Sequence, residues 1–228
     1  MTDKQNGKNL TPLSLLGNTL GAALGLILFG LGTYVTIRAN MGVAPWDALN
    51  TGLSKTFGLS FGTCSIAVSL VILAADILLR EKIGVGMFLD AFLVGITVDA
   101  CNALSLIPQA PSLLWGTVYL LSGMTVMGFS QFLYMRAGLG CGPRDTFLVG
   151  LSRKLPRLPI GLISIIIMAV VTLQAYLLGG DIGIGTLVCA FLVGPIMQFA
   201  FFLVRFRPTE VLHQDVLTSC KVLFGIAR

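Results

Sequence analysis

The sequence predicts an all-α membrane protein with six transmembrane helices, built as two inverted three-helix repeats that each carry a short polar helix after the first span. Three observations support this prediction. The chain of 228 residues is 55% hydrophobic and only 11% charged, whereas soluble domains carry about 25% charged residues. It contains six apolar segments long enough to cross a bilayer. Two segments of its second half repeat segments of its first half.

The predicted spans are the segments that offer about 20 mostly apolar residues. They cover residues 15–37, 61–79, 84–104, 113–135, 160–178 and 184–204. Segments 45–56 and 143–155 are too short and too polar to cross, although their patterns are helical. The resulting divisions are a cytoplasmic N-terminal tail (1–14), transmembrane repeat A (15–104), transmembrane repeat B (113–204) and a cytoplasmic C-terminal tail (205–228).

The basic residues indicate the orientation of the spans, because Lys and Arg are retained on the cytoplasmic side of a membrane. With six spans and a cytoplasmic N-terminus, 13 of the 15 basic residues lie inside. Only Arg38 and Lys55 lie outside. The net charge of +5 is therefore explained by topology, and we expect the lipid bilayer rather than a nucleic acid as partner. Both termini are expected in the cytoplasm.

The internal repeat rests on two alignments. Residues 38–54 match residues 136–152 at eight of 17 positions. With one extra residue in the second half, residues 83–95 match residues 182–194 at eight of 13 positions. Each half has three spans, an odd number, so the second half enters the membrane from the opposite side. Inverted repeats of this kind recur in secondary transporters, although duplication could also serve only to double a stable helix bundle.

The repeated segment has the features of a helix start. Proline is favoured in the first turn of a helix, and a nearby acid complements the positive end of the helix dipole. Pro45 and Pro143 are therefore predicted to begin the short helices, with Asp47 and Asp145 in their first turns. The glycines that permit the bend before each helix are Gly42 and Gly140.

Two interpretations of the repeated charges remain open. Arg38 and Arg136 end the first span of each half and could clamp the aspartate nine residues later, Asp47 or Asp145, in a structural ion pair. Alternatively, the short helices dip into the membrane, and these four residues bind a charged solute. The position after each proline is Trp46 in one copy and Arg144 in the other, so both segments could also lie at the membrane surface.

Asp90 is the acid within a span that stands out as a further solute-binding candidate. It lies seven residues into its predicted span and has no basic residue within one helical turn. Acids inside membranes are costly and are often functional. Its counterpart in the second half is Cys189, so any role of Asp90 belongs to one half only.

The segment RANMGVAPWDAL after the first span, the LSFGT that follows it, and IGVGMFLDAFLVGITVD leading into the third span resemble the bacterial YczE/YyaS/YitT group of integral membrane proteins, nearest the YczE type. The resemblance covers residues 15–205, and its most specific element is GVAPWD at 42–47. It implies a transporter-like protein of the bacterial inner membrane. It supplies no catalytic residues to carry over.

The sequence thus favours a protein that binds or moves a small polar or charged solute across the bacterial cytoplasmic membrane. The competing interpretation is a scaffold or accessory protein whose Arg/Asp motifs are clamps. An enzyme is disfavoured because no nucleophile–base pair, HExxH or paired-acid motif appears. The five scattered cysteines predict neither a metal site nor a cofactor. A homodimer and a separate energising subunit are both compatible with the sequence.

Overall fold

The computed structural model describes residues 12–206, and these residues form a bundle of α-helices without strands. The helices are α1 (Pro12–Arg38), α2 (Pro45–Phe57), α3 (Phe61–Leu79), α4 (Val85–Ala103), α5 (Leu113–Arg136), α6 (Pro143–Lys154), α7 (Ile160–Leu177) and α8 (Ile184–Leu203). Within the described residues, six of them are long and apolar enough to cross a membrane. The shorter α2 and α6 are the other two.

The predicted spans agree with the observed helices to within three residues at every end. This agreement is expected because a helix that crosses a membrane requires a long run of apolar residues, and such runs can be identified directly in the sequence. Large apolar side chains remain exposed along the spans, as a lipid-facing surface requires. Examples are Val71, Leu114, Ile165, Leu187 and Phe191. The chain is therefore a multi-pass membrane protein.

Helix α1 packs directly on α5, and glycines bring the two backbones close together. A methyl group placed on Gly25 of α1 would lie 3.1 Å from the Ser130 carbonyl oxygen of α5. One placed on Gly123 of α5 would lie 2.7 Å from the Gly32 carbonyl oxygen of α1. Small residues allow such close approach of backbones in membrane helices. In the repeat alignment, the Gly25–Ser130 and Gly123–Gly32 contacts occupy equivalent positions.

The remaining helices pack around α1 and α5, and most of the contacts in one half have an equivalent in the other half. Helix α1 packs on α4, and α5 packs on α8. Helix α2 contacts α3, α7 and α8, whereas α6 contacts α7, α3 and α4. Helix α3 also packs on α4. Each short helix is thus surrounded by spans from both halves, a position that lets the two short helices approach one another.

The buried core lies along the α1–α4–α5 contact and between α2 and α7. The first cluster includes Leu26, Val94 and Tyr134, each at most 9% exposed. The second includes Ala48 and Val171, at 0% and 5% exposure. Because α2 is held by an apolar core on one side, its polar first turn has a fixed position in the bundle.

Candidate functional site

The two short helices begin as the sequence predicts. Pro45 and Pro143 occupy the first turns of α2 and α6, where the missing proline N–H is not needed. Asp47 and Asp145 lie in the same first turns. The residues that precede the helices, Ala44 and Gly142, are extended, with ψ of 151° and 161°. The prediction of both helix starts is confirmed.

The bends before these helices use glycine for a physical reason. Gly42 has φ of +98° and Gly140 has φ of +106°, values that side chains with a Cβ rarely adopt. At Gly42 an added Cβ would also lie 2.5 Å from the Gly183 nitrogen, and at Gly140 it would lie 3.0 Å from Gly84 Cα. Each bend therefore requires glycine for conformation and also packs against the opposite half of the chain.

The loops at these bends are joined to the other half by backbone hydrogen bonds. The Gly185 N–H donates to the Met41 carbonyl oxygen at 2.7 Å, and the Gly86 N–H donates to the Leu139 carbonyl oxygen at 2.8 Å. The two bonds occupy equivalent positions in the repeat alignment. Each half thus anchors the entry to the short helix of the other half.

The N-terminal turns of α2 and α6 meet. Arg144 Nη1 lies 3.7 Å from Asp47 Oδ1, and the Arg144 guanidinium carbon lies 5.3 Å from the centre of the Trp46 ring. Asp47 is only 5% exposed, and the Arg144 side chain is 25% exposed. The guanidinium is therefore held between a buried carboxylate and an aromatic face, a favourable arrangement for a cation.

Two further groups complete what we call the charged centre, which comprises Trp46, Asp47, Asp90, Tyr134, Arg144 and Asp145. A methyl group placed on Gly142 would lie 2.8 Å from Asp90 Oδ2 and 3.8 Å from Tyr134 Oη. The Tyr134 side chain is buried, and its hydroxyl has no hydrogen-bond partner among the described residues. Asp90 and Tyr134 therefore border the same space beside the N-terminus of α6.

The three carboxylates differ in their surroundings. Arg144 lies within electrostatic reach of Asp47, Asp90 and Asp145. Burial raises the pKa of Asp47 above its ordinary value, and the Arg144 guanidinium opposes this rise. Asp90 is half-buried and Asp145 is exposed. Asp145 is therefore the most exposed of the three carboxylates.

Arg38 and Arg136 lie away from the charged centre, which differs from the predicted arrangements. Arg38 Nη2 donates to Asn102 Oδ1 at 3.2 Å, and its guanidinium carbon lies 5.1 Å from the Tyr34 ring centre. Arg136 is exposed, with its guanidinium carbon 6.0 Å from the centre of the Phe132 ring. The clamp that would join Arg38 to Asp47 is not observed, because Asp47 is paired with Arg144 instead.

Both ends of the bundle carry an ion pair between the halves. Lys55 Nζ lies 2.5 Å from Asp181 Oδ1, and Arg153 Nη1 lies 2.8 Å from Glu81 Oε2. Lys55 and Arg153 are equivalent positions in the repeat alignment. A cavity of about 520 Å³ lies beside the first of these pairs and is bordered by Lys55, Ile37 and residues 40–43 and 181–183. This cavity is distinct from the charged centre.

Sequence reasoning missed Arg144, Tyr134 and Gly142 as members of the site. Arg144 was explained by the positive-inside rule, and Tyr134 lies in an otherwise apolar span. One signal was available: Trp46 and Arg144 stand at equivalent positions of the two copies. In the structure these two equivalent positions face each other and form the cation–π contact.

A family model described as "Family of unknown function (DUF6198)" matches residues 17–201, which is most of the chain. The chain belongs to this family. It is 32% identical over 183 residues to the Uncharacterized membrane protein YczE of Bacillus subtilis, covering 77% of this chain and 81% of that protein. The predicted resemblance to the YczE type is therefore confirmed.

Two further relatives have similar coverage. An Uncharacterized protein of Haemophilus influenzae is 27% identical over 174 residues, which is 76% of this chain and 78% of that protein. The Uncharacterized protein YyaS of Bacillus subtilis is 29% identical over 192 residues, which is 77% of this chain and 88% of that protein. No solved structure matches the chain. The relative that is named a membrane protein agrees with the six apolar helices of this chain.

Proposed function

We propose that this protein binds a small polar or charged solute and moves it across the bacterial cytoplasmic membrane. One observation carries the proposal: Asp47 of the first half and Arg144 of the second meet where two non-spanning helices begin. In secondary transporters, helix N-termini at the interface of two repeats bind the transported solute. Charged groups buried inside a membrane bundle are costly, and they commonly mark such pathways.

The proposal includes an inverted arrangement of the two halves, with both termini in the cytoplasm. It is supported by contacts that recur at equivalent positions, such as the bonds from Gly185 to Met41 and from Gly86 to Leu139. The odd number of spans in each half, three, supports the same arrangement. In an inverted repeat, α2 and α6 enter the membrane from opposite faces and converge near its midplane.

Alternating access gives the two terminal ion pairs a role. Lys55–Asp181 and Arg153–Glu81 would close the outer and inner ends of the pathway. The Lys55–Asp181 pair is exposed, at 54% and 45%, and contributes only about 0–1 kcal/mol, so opening that end is inexpensive. The Glu81 side chain is 8% exposed, so its ion pair with Arg153 is the harder of the two to open. The chain contains no ATP-binding motif. Active transport therefore uses an ion gradient or a separate energising subunit.

Uptake by proteoliposomes tests this function. Purified protein would be reconstituted, and accumulation of labelled alkylamines, amino acids, monocarboxylates and sugars would be measured. We expect one class to accumulate, and Asp47→Asn to reduce its initial rate by at least about tenfold, because the buried carboxylate contacts the solute or its coupling ion. Lys154→Ala, an exposed change at the far end of α6, is the matched control and is expected to retain uptake.

The result that contradicts transport is also defined. If folded protein accumulates no class of solute, and none raises its melting temperature, the scaffold function is favoured. In that case the Asp47–Arg144 pair acts as a structural link between the halves. A scaffold predicts that Asp47→Asn changes stability without changing any flux.

A further inference from the structure

The charged centre contains more acidic than basic side chains. Asp47, Asp90 and Asp145 come from α2, α4 and α6, and Arg144 is the basic side chain that interacts with all three. Arg144 contacts Asp47 and the Trp46 ring, so its positive charge interacts most directly with Asp47 among the three carboxylates. Unbalanced carboxylates in a medium of low dielectric constant favour the binding of a cation.

The Tyr134 hydroxyl provides an independent indication of a ligand. Tyr134 is 4% exposed, and its Oη has no hydrogen-bond partner among residues 12–206. A buried hydroxyl that makes no hydrogen bond is destabilising. Asp90 Oδ2 lies 2.8 Å, and the Tyr134 hydroxyl oxygen lies 3.8 Å, from the position that a methyl group on Gly142 would take. The two oxygens therefore border the same space. A bound group that donates hydrogen bonds would satisfy both.

The chemistry of these groups restricts the ligand. Carboxylate oxygens accept hydrogen bonds, and a tyrosine hydroxyl accepts as well as donates. The complementary ligand is a cation with N–H donors, as in a primary ammonium or a guanidinium. The protein already holds one such group, since the Arg144 guanidinium lies between Asp47 and Trp46. Asp145, next to Arg144 in the chain, adds a further carboxylate within electrostatic reach of Asp90 and Tyr134.

We propose that Asp90, Tyr134 and the backbone at Gly142 form a subsite for the ammonium or guanidinium head of a small organic cation, beside the Asp47–Arg144 pair. This inference rests on the proposed transport function and names the class of solute. Gly142 is the residue that keeps the subsite open. Its φ of −64° is accessible to any residue, so the reason for glycine here is space rather than backbone conformation.

Binding to the purified full-length protein tests the subsite. The probes are n-propylammonium and methylguanidinium, compared with tetramethylammonium, sodium and acetate at constant ionic strength. We expect the two N–H cations to raise the melting temperature, whereas tetramethylammonium and acetate leave it unchanged. Calorimetric titration with n-propylammonium is expected to show at least about tenfold weaker binding to Asp90→Asn, because a charged hydrogen bond is lost.

Two milder variants separate loss of the subsite from loss of the fold. Gly142→Ala places its methyl group against Asp90 and is expected to weaken n-propylammonium binding about tenfold or more. Tyr134→Phe removes only the hydroxyl, and a several-fold loss of affinity is expected without any decrease in the melting temperature of the unliganded protein, because the removed hydroxyl has no partner there. Lys154→Ala should bind as the wild type does, since its side chain is exposed at the other end of α6.

The outcomes are distinguishable from those of the transport assay. Equal stabilisation by sodium, preferential binding of acetate, or unchanged binding to Asp90→Asn would each overturn the proposed ligand class. If the protein takes up a neutral or anionic solute and binds no cation, the transport function is supported and the cation subsite is contradicted. Binding of n-propylammonium without uptake of any solute would leave the subsite intact and remove transport.

Discussion

Replacing Arg144 with alanine is expected to lower the free energy of unfolding by about 2–4 kcal/mol at pH 7. The change leaves Asp47, which is 5% exposed, without its guanidinium partner. Removing one partner of a buried ion pair commonly costs about 3–5 kcal/mol. The penalty cannot exceed the free energy of protonating the Asp47 carboxylate at pH 7. That free energy is about 4 kcal/mol, because the ordinary Asp pKa lies about three units below pH 7 and each unit corresponds to about 1.4 kcal/mol. Unfolding of purified protein in detergent measures the effect.

The pH dependence of the same variant tests whether an unpaired carboxylate is the cause, and Asp47 is the carboxylate that Arg144 contacts. Burial already raises the pKa of Asp47, and removing Arg144 takes away the interaction that opposes this rise. A group with a raised folded-state pKa costs stability above its unfolded pKa of about 4, so the deficit should grow from pH 5 to pH 8. A deficit that does not vary with pH would contradict the assignment.

A second substitution tests whether the charge itself is responsible. Adding Asp47→Asn to Arg144→Ala removes the unpaired carboxylate and is expected to restore most of the lost stability. The control is Lys154→Ala, an exposed basic residue in the last turn of the same helix, with an expected change below about 0.5 kcal/mol. If the Lys154 variant loses as much stability as the Arg144 variant, the buried pair is not the cause.

Replacing Gly42 with alanine is the other change expected to have a large effect. The residue has φ of +98°, where a Cβ costs about 1–2 kcal/mol. The added methyl group would also lie 2.5 Å from the Gly183 nitrogen and 2.9 Å from its Cα, and backbone at that distance must shift. We expect a loss of about 2–4 kcal/mol, which lowers the melting temperature by roughly 5–15 °C.

The matched control for Gly42 is Gly161→Ala. Gly161 is helical, and an added methyl group has no heavy atom within 4 Å. Alanine is favoured over glycine in a helix by up to about 1 kcal/mol, so this variant should be as stable as the wild type or more so. Equal stability of the Gly42 and Gly161 variants would show that the bend does not depend on the contact with the opposite half.

The features predicted correctly from the sequence are those encoded locally. The bounds of α3, Phe61–Leu79, equal the predicted span because apolar length alone defines a crossing helix. The starts of α2 and α6 follow from Pro45 and Pro143, which fix the backbone of the first turn. The bends at Gly42 and Gly140 follow for a similar reason, as both have positive φ.

The pairing of charges could not be predicted in the same way. The clamp hypothesis pairs Arg38 with Asp47 because the two residues belong to the same short segment of the sequence. In the structure, Asp47 pairs with Arg144 of the other half. That pairing depends on how the halves dock across α1 and α5. The role of Tyr134 could not be predicted from the sequence for the same reason, since its hydroxyl lies beside Gly142 and Asp90 only once the two halves dock.

The inverted arrangement of the two halves can be tested by labelling Lys55→Cys and Arg153→Cys in a background without native cysteines. Both side chains are exposed, at 54% and 68%, and occupy equivalent positions of the repeat. In intact cells, we predict that a membrane-impermeant maleimide labels position 55 from outside and position 153 only after the membrane is opened. Labelling of both positions from the same side would contradict the inverted arrangement.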